Sequence, residues 1–416
     1  MFYGWIVLAF VSVCYFAVVG GGFYGFSVVM PAMIEAQGWN RTEASMGFSV
    51  MMLTFGLNAP VIAILISKIK TQRTLLLGGT LIAVGCAALY FSDSILSFYF
   101  GCFVLGLGLS MTSVVPGGHL IAQWFSRRRS LSMGIFMACG GLGAFVFAPL
   151  FTKLILVTGD WRMVWVCVGA IGAALGVLGF LIVRERPLVV GQFVDGVDPD
   201  KPVLGDVQQK VQRVYKSTVN WTHKEAFRTP VFWLMLFASW IAMTGNAVVN
   251  SQVVLHLTDL GASQLVAAGA LGIVGLVNTV GRFSGGALGD SIDPRYLMFA
   301  GMVLEMLGIF VLLRADSEFL IYLFAILFGL GFGLYLVAFT SLIANYFGAE
   351  NYAKIYALLG LCYTFLTASG PILAGYAYDK LGSYDLPFYM ILGFGACASI
   401  AILLMKPPLQ KSATIV

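Results

Sequence analysis

Twelve stretches of this sequence are apolar for long enough to cross a lipid bilayer, and that constrains the fold more than any motif does. They cover approximately 5–31, 43–67, 75–92, 95–122, 131–157, 163–183, 231–257, 265–289, 296–313, 319–346, 353–378 and 387–405. A spanning helix needs roughly 20 predominantly apolar residues. Hydrocarbon offers no partner to a free backbone N–H or C=O, so each stretch must be a helix that closes its own hydrogen bonds. The chain is 59% hydrophobic and 10% charged, against about 25% charged in a soluble domain. A soluble or disordered chain is therefore excluded. A formal charge of +5 with 24 Lys and Arg is too little to coat a phosphate backbone, so no nucleic-acid partner is expected. The seven Cys lie singly in apolar runs without C-x-x-C, which points to buried filler rather than a disulfide framework or zinc site. The first run starts almost at Met1 without a basic region before it, and is read as a retained span.

The polar residues orient and divide the bundle. With both termini cytoplasmic, 18 Lys and Arg fall inside and 5 outside, and omitting the long central loop still leaves 10 against 5. The positive-inside rule favours this orientation. That loop, 184–229, carries eight basic and six acidic residues and separates six helices from six. The expected units are a bundle over 1–183, a cytoplasmic linker over 184–229 and a bundle over 230–416. Within the linker, Val207, Val211 and Val214 at helical spacing, with Lys210, Arg213 and Lys216 opposite, predict a short amphipathic helix on the inner surface; a solvated linker is the alternative. Small-xxx-small pairs (Gly21/Gly25, Gly172/Gly176, Gly281/Gly285, Gly285/Gly289) predict close helix packing. The halves resemble each other: Trp124-Phe125 and Pro149 match Tyr346-Phe347 and Pro371 at an offset of 222. Gly106/Gly108 match Gly329/Gly331 one residue out of step. A duplicated six-helix unit is typical of transporters that rock two halves about a midplane site.

These residues resemble the major facilitator superfamily. The stretch Gly281-Arg282-Phe283-Ser284-Gly285-Gly286-Ala287-Leu288-Gly289-Asp290, followed by Asp293-Pro294-Arg295, is similar to that family's motif between helices 8 and 9. The resemblance gives Asp290 and Arg295 a gating role. The counterpart between helices 2 and 3, Ser67-Lys68-Ile69-Lys70-Thr71-Gln72-Arg73, lacks the acid. A narrower resemblance, to the monocarboxylate transporter branch, rests on Trp124 to Gly143, which is similar to the branch's loop-into-helix-5 signature, and on Arg282. Tyr3-Gly4-Trp5 resembles its other signature loosely. The oxalate–formate exchangers are near relatives. The resemblance implies an all-α membrane protein, with twelve transmembrane helices in two pseudo-symmetric bundles and a central substrate site.

The ionisable groups inside the spans carry the functional reading. Arg282 lies about eight residues before Asp290, or ~12 Å at 1.5 Å per residue, near the midplane. A buried Arg costs at least ~2.5–3.5 kcal/mol on insertion scales, so it needs a partner. Its fork matches a carboxylate, and the family resemblance makes it the substrate-carboxylate site; a structural ion pair is the alternative. Asn278 is one turn earlier, where many family members carry an Asp. Its amide cannot titrate, which points to a bond to Arg282 or substrate. His119, late in helix 4, is a candidate for substrate and proton handling. Glu305 is the one acid deep in a span, read as structural before coupling. His256 and Asp259, ending helix 7 at the outer face, are further proton or gate candidates. Tyr335 and Phe339, Tyr24 and Val28, Asn246 and Asn250, and an inward-facing Phe145 complete the candidate site. A Tyr hydroxyl suits a 2-hydroxy or 2-keto oxygen, and Phe or Val a short alkyl tail.

With only three His, H-E-x-x-H is impossible, and neither G-x-S-x-G nor a phosphate-binding G-x-x-x-x-G-K-[ST] is present. Gly20-Gly21-Gly22-Phe23-Tyr24-Gly25 matches G-x-G-x-x-G but sits inside a span with no strand before it. No enzyme activity, metal or cofactor is expected. The reading is a bacterial inner-membrane monomer that carries a short monocarboxylate such as L-lactate or pyruvate with a proton. The absence of a second deep cation argues against a dicarboxylate. The alternatives are an anion exchanger of the oxalate–formate type and a non-transporting membrane sensor.

Overall fold

The computed structural model describes residues 2–126, 128–196, 214–215, 217, 221–289, 291–348 and 351–408. Eleven of its continuous helices are long and apolar enough to cross a membrane. The count of twelve spans follows from the break at Lys70, whose φ of 70° divides the helix Ala59–Tyr90 into 59–69 and 71–90. A non-glycine residue with positive φ is uncommon, and here it marks a reversal. Gly47 packs on Phe98, and Leu89 on Gly101. Both ends of the segment 41–90 therefore lie at one end of the molecule, and the chain must turn back near Lys70. The helices are α1 (Gly4–Gln37), α2 (Arg41–Leu57, continued past Asn58 to 69), α3 (71–90), α4 (Ile95–Trp124, interrupted at Thr112–Ser113), α5 (Arg129–Thr158) and α6 (Arg162–Ile182). The second half has α7 (Pro230–Asp259), α8 (Gln264–Leu288), α9 (Pro294–Leu312), α10 (Glu318–Phe347), α11 (Tyr352–Leu381) and α12 (Asp385–Leu404).

Local chemistry sets the helix ends. Asn40 with Glu43, and Ser94 with Ser97, form capping boxes at the starts of α2 and α4. Such boxes satisfy backbone donors that the first turn leaves free. Gly38, Gly159 and Gly382 stop α1, α5 and α11 at φ of 66°, 69° and 70°, a conformation that costs glycine little. α1 carries one π-helical stretch, Val18–Tyr24, over its three consecutive glycines.

The halves repeat with an offset of 223, since α4, α5 and α6 start at 95, 129 and 162 and α10, α11 and α12 at 318, 352 and 385. The glycine pair Gly106/Gly329 thus keeps the structural register, and the proline pair is the one displaced by a residue. Packing repeats as well: Gly85 lies against Leu105 and Gly308 against Phe328. The amphipathic helix expected over Val207 and Val211 lies outside the described residues; Val214 is a buried bend. Farther along, the linker is tied to the end of α10. The Ser217 N–H donates to the Asn345 carbonyl (2.8 Å), and the Trp221 N–H to the Phe347 carbonyl (3.0 Å).

A Cβ on Gly79 would meet backbone on α6, 2.5 Å from the Gly172 oxygen and 2.6 Å from Gly176 Cα. Backbone cannot rotate aside, so Gly79→Leu should cost about 1–3 kcal/mol or more by overpacking. The apparent melting temperature in detergent should fall by at least ~2 °C. Gly134→Ala, with nothing within 4 Å, should leave it unchanged. Equal melting temperatures for both variants would contradict the α3–α6 packing.

Candidate functional site

Arg282 sits on α8, where small residues let α8 approach α5 across the interface between the halves. A Cβ on Gly275 would lie 2.6 Å from the Gly141 oxygen. The Thr279 hydroxyl donates to the Ala138 carbonyl at 3.0 Å. At this close approach Arg282 Nε donates to Asn278 Oδ1 (2.8 Å) and Nη1 to the Met137 carbonyl (2.9 Å). Guanidinium has five N–H donors. These two bonds leave Nη2 and one Nη1 proton without a partner among the described residues. The side chain is half-buried, and the phenols of Tyr24 on α1 and Tyr356 on α11 interact electrostatically with it. No carboxylate pairs with it among the described residues. The guanidinium is thus held through Nε and one Nη1 proton, and donors of the kind a carboxylate accepts from remain.

Tyr335 and Phe339 on α10 are fully buried and stacked, centroids 6.2 Å apart at 14°. The Tyr335 hydroxyl bonds Ser239 Oγ on α7 at 3.2 Å. Tyr356 extends this aromatic wall, 6.2 Å from Phe339. Asn250 Nδ2 donates to Asn246 Oδ1 at 2.8 Å. Tyr24 is 5% exposed. Val28 lies a turn further along α1, where it borders a small void with Thr152 and Val254. Phe145 does not face inward. It is 44% exposed in a stripe with Leu142, Val146 and Leu150, because the α5 faces that meet α1 and α8 are taken by Gly140, Gly143, Gly141 and Ala144.

The titratable candidates separate. His119 on α4 is half-buried and has no hydrogen-bond partner among the described residues. His256 turns into the C-terminal half: Nε2 is 3.1 Å from the Leu312 carbonyl, and the ring stands edge-on to Tyr384 and Phe388. Glu305 is fully buried with neither carboxyl oxygen hydrogen-bonded. A Cβ on Gly245 of α7 would lie 3.0 Å from its Oε1. Asp290 lies outside the described residues. Arg295 does not reach across the halves; Nη1 donates to the Met405 carbonyl at 2.8 Å and pins α9 to the end of α12.

Sequence reasoning missed the contact that joins the halves most strongly. Arg41, at the start of α2, donates to both oxygens of Asp259 on α7 (Nη1 2.6 Å, Nη2 2.7 Å) and to the Tyr384 hydroxyl (2.8 Å). Its guanidinium carbon lies 3.5 Å above the Tyr378 ring. The backbone N–H groups of Arg41 and Thr42 donate to Asp379 at 3.0 and 2.8 Å. Deeper in, Gln252 Nε2 donates to Ser45 Oγ at 2.7 Å. Asp259 reads in sequence as a proton or gate candidate, and only the tertiary fold pairs it with Arg41. Among the described residues, no hydrogen bond joins the halves on the other side of Arg282–Met137. The molecule is thus latched at its Arg41 end.

Known proteins agree with this architecture. The sequence model of the Major Facilitator Superfamily matches residues 11–297 and 235–415. The chain belongs to that superfamily and is a multi-pass membrane transporter. It is 29% identical over 415 residues to monocarboxylate transporter 13 of Bos taurus, covering 97% of this chain and 89% of that one. Monocarboxylate transporter 2 of Homo sapiens is 25% identical over 414 residues, covering 95% and 83%. Among solved structures, a bacterial homolog to the human lysosomal transporter Spinster, inward-facing and unoccupied, superposes with TM-score 0.74 at 17% identity, covering 97% and 96%. Over nearly its whole length the chain is thus similar to proteins named monocarboxylate transporters.

The latch predicts a measurable opening. Asp259→Asn keeps the shape but removes the charge opposite Arg41. For this partly exposed bidentate pair the loss should be on the order of 1 kcal/mol, or about fivefold in the latch equilibrium. A cysteine at the buried position Ser45 should then react several times faster with an impermeant maleimide. An unchanged rate would contradict the latch.

Proposed function

We propose that the protein is a proton-coupled symporter of a short monocarboxylate such as L-lactate or pyruvate, working by alternating access, a monomer with both termini cytoplasmic in a bacterial inner membrane. The observation that carries this reading is Arg282, a cation within a span that has unused donors and no paired acid among the described residues. Such a charge is costly in a low dielectric, and an entering carboxylate compensates it with one negative charge and two acceptors. No second Lys or Arg stands at that depth in the sequence, which suits one carboxylate rather than two. The relatives named monocarboxylate transporters support the substrate class. In this orientation the Arg41 latch closes the outer face.

We assign the coupling proton to Glu305. Asn278 cannot titrate, Asp259 serves the latch, and His256 is bonded away from the site. An unpartnered carboxyl buried within the bundle is stable only when protonated. Tyr335 of α10 is a titratable group that interacts electrostatically with it; α7 contributes Gly245 beside its carboxyl and α10 Gly331 beside its backbone. A neutral Glu305 can remain buried while the carboxylate occupies Arg282, and proton and anion then cross together. The pair moves no net charge. It avoids the ~2.3 kcal/mol per 100 mV that a negative interior imposes on an entering anion.

Two variants test the assignment. Arg282→Lys keeps the charge but not the fork. It should lower uptake in proteoliposomes at least ~100-fold, with the melting temperature preserved. Uptake at the wild-type rate would remove the carboxylate site. Glu305→Gln should retain exchange of internal for external substrate but lose accumulation driven by an inward proton gradient. Accumulation like wild type would return the proton to another group, with His119 next in line.

A further inference from the structure

We propose that Asn246 and Asn250 of α7 form a second polar subsite, which takes a hydroxyl group on the transported acid. This rests on the monocarboxylate reading above and specifies what stands beside the carboxylate. The two amides bond each other once, Asn250 Nδ2 to Asn246 Oδ1 at 2.8 Å. That bond leaves Asn246 Nδ2 and Asn250 Oδ1 buried, and neither has a partner. The hydrogen-bonded pair therefore carries one unsatisfied donor and one unsatisfied acceptor. Exchanging O and N in both amides swaps the two atoms and leaves the same complement.

The pair shares the α7 face that meets Tyr335. Ser239, Asn246 and Asn250 fall on one face of α7, being seven and four residues apart. Ser239 on that face holds the Tyr335 hydroxyl. Glycine contacts fix the depth. Gly245 meets the Glu305 carboxyl, Gly331 meets the Glu305 backbone, and Gly333 of the same helix meets Asn278 and Arg282. Asn246 thus stands in the layer of the bundle that holds Asn278 and Arg282, with Asn250 one turn beyond.

A buried donor and acceptor left unmatched are costly, and the ligand that satisfies both with one atom is a hydroxyl. It accepts from Asn246 and donates to Asn250. A keto oxygen accepts only, so it satisfies half the pair. An alkyl group satisfies neither and leaves both desolvated. A second carboxylate would place a charge beside an acceptor. Sites built to hydrogen-bond a hydroxyl reject the analogue that lacks it far more strongly than apolar pockets reject an extra one. The predicted order of affinity is 2-hydroxy acid, then 2-keto acid, then unsubstituted acid of the same length.

The test is competition in counterflow, with the full-length protein in proteoliposomes and lactate, pyruvate and propionate as competitors. Lactate should compete at least about tenfold more tightly than propionate, with pyruvate between them. In Asn246→Leu and Asn250→Leu the lactate advantage should collapse to within about threefold while propionate competition persists, which also shows that the variants fold. Equal competition by the three acids in wild type, or an undiminished lactate preference in the variants, overturns the proposal and leaves the carboxylate site standing. If neither variant inserts, the wild-type order alone decides. If none of the three acids competes, the monocarboxylate reading falls and this subsite falls with it.

Discussion

A single half-buried guanidinium on the interface between the two halves is the constraint around which this structure is arranged. Arg282 lies where uncompensated charge is expensive. The protein meets only part of its requirement, through the Asn278 side chain and the Met137 carbonyl. Because the second partner belongs to α5 and Arg282 to α8, the cation sits on the interface between halves. Any change in how the halves meet alters its environment. A ligand that completes its charge balance therefore acts on the same interface that must move, and binding energy is available to bias the rocking equilibrium.

Small residues make that arrangement possible. Gly141, Gly275 and Ala144 bring α5 and α8 into backbone contact, so that Arg282 reaches a carbonyl rather than lipid. The same device recurs at α3–α6 and, through Gly301, Gly308 and Gly331, at α9–α10. Without a hydrophobic driving force between helices in lipid, close van der Waals contact has to supply the association. Against this tight frame, the Arg41–Asp259 latch is a small cluster of charged hydrogen bonds at one end. Such bonds are strong when formed and directional, yet water competes for them once the helices part. This combination suits a closure that must be reversible.

Much of the architecture was legible in the sequence, because a bilayer converts composition into topology almost directly. The twelve runs and the duplicated halves follow from hydropathy and spacing. The register of the duplication was read as 222 from the Trp-Phe and proline pairs, and helix starts put it at 223. Side-chain direction was harder to read. Phe145 reads as inward-facing, but α5 has two packed faces and the Phe145 side chain lies outside both. Pairing across the chain was not legible at all. Arg41 is 218 residues from Asp259, and neither position announces the other. Glu305 reads as an acid deep in a span, and only the structure shows it fully buried between α9, α7 and α10. The unsatisfied amides of Asn246 and Asn250 could not be foreseen, because a missing partner is visible only in three dimensions.

The central claim is that proton and monocarboxylate cross together. Labelled L-lactate uptake into proteoliposomes, with and without an inward proton gradient and with a protonophore, tests it most directly. The account predicts uptake that rises with the gradient and collapses when the protonophore is added. Uptake indifferent to both, but dependent on anion preloaded inside the vesicles, would contradict symport and identify an exchanger.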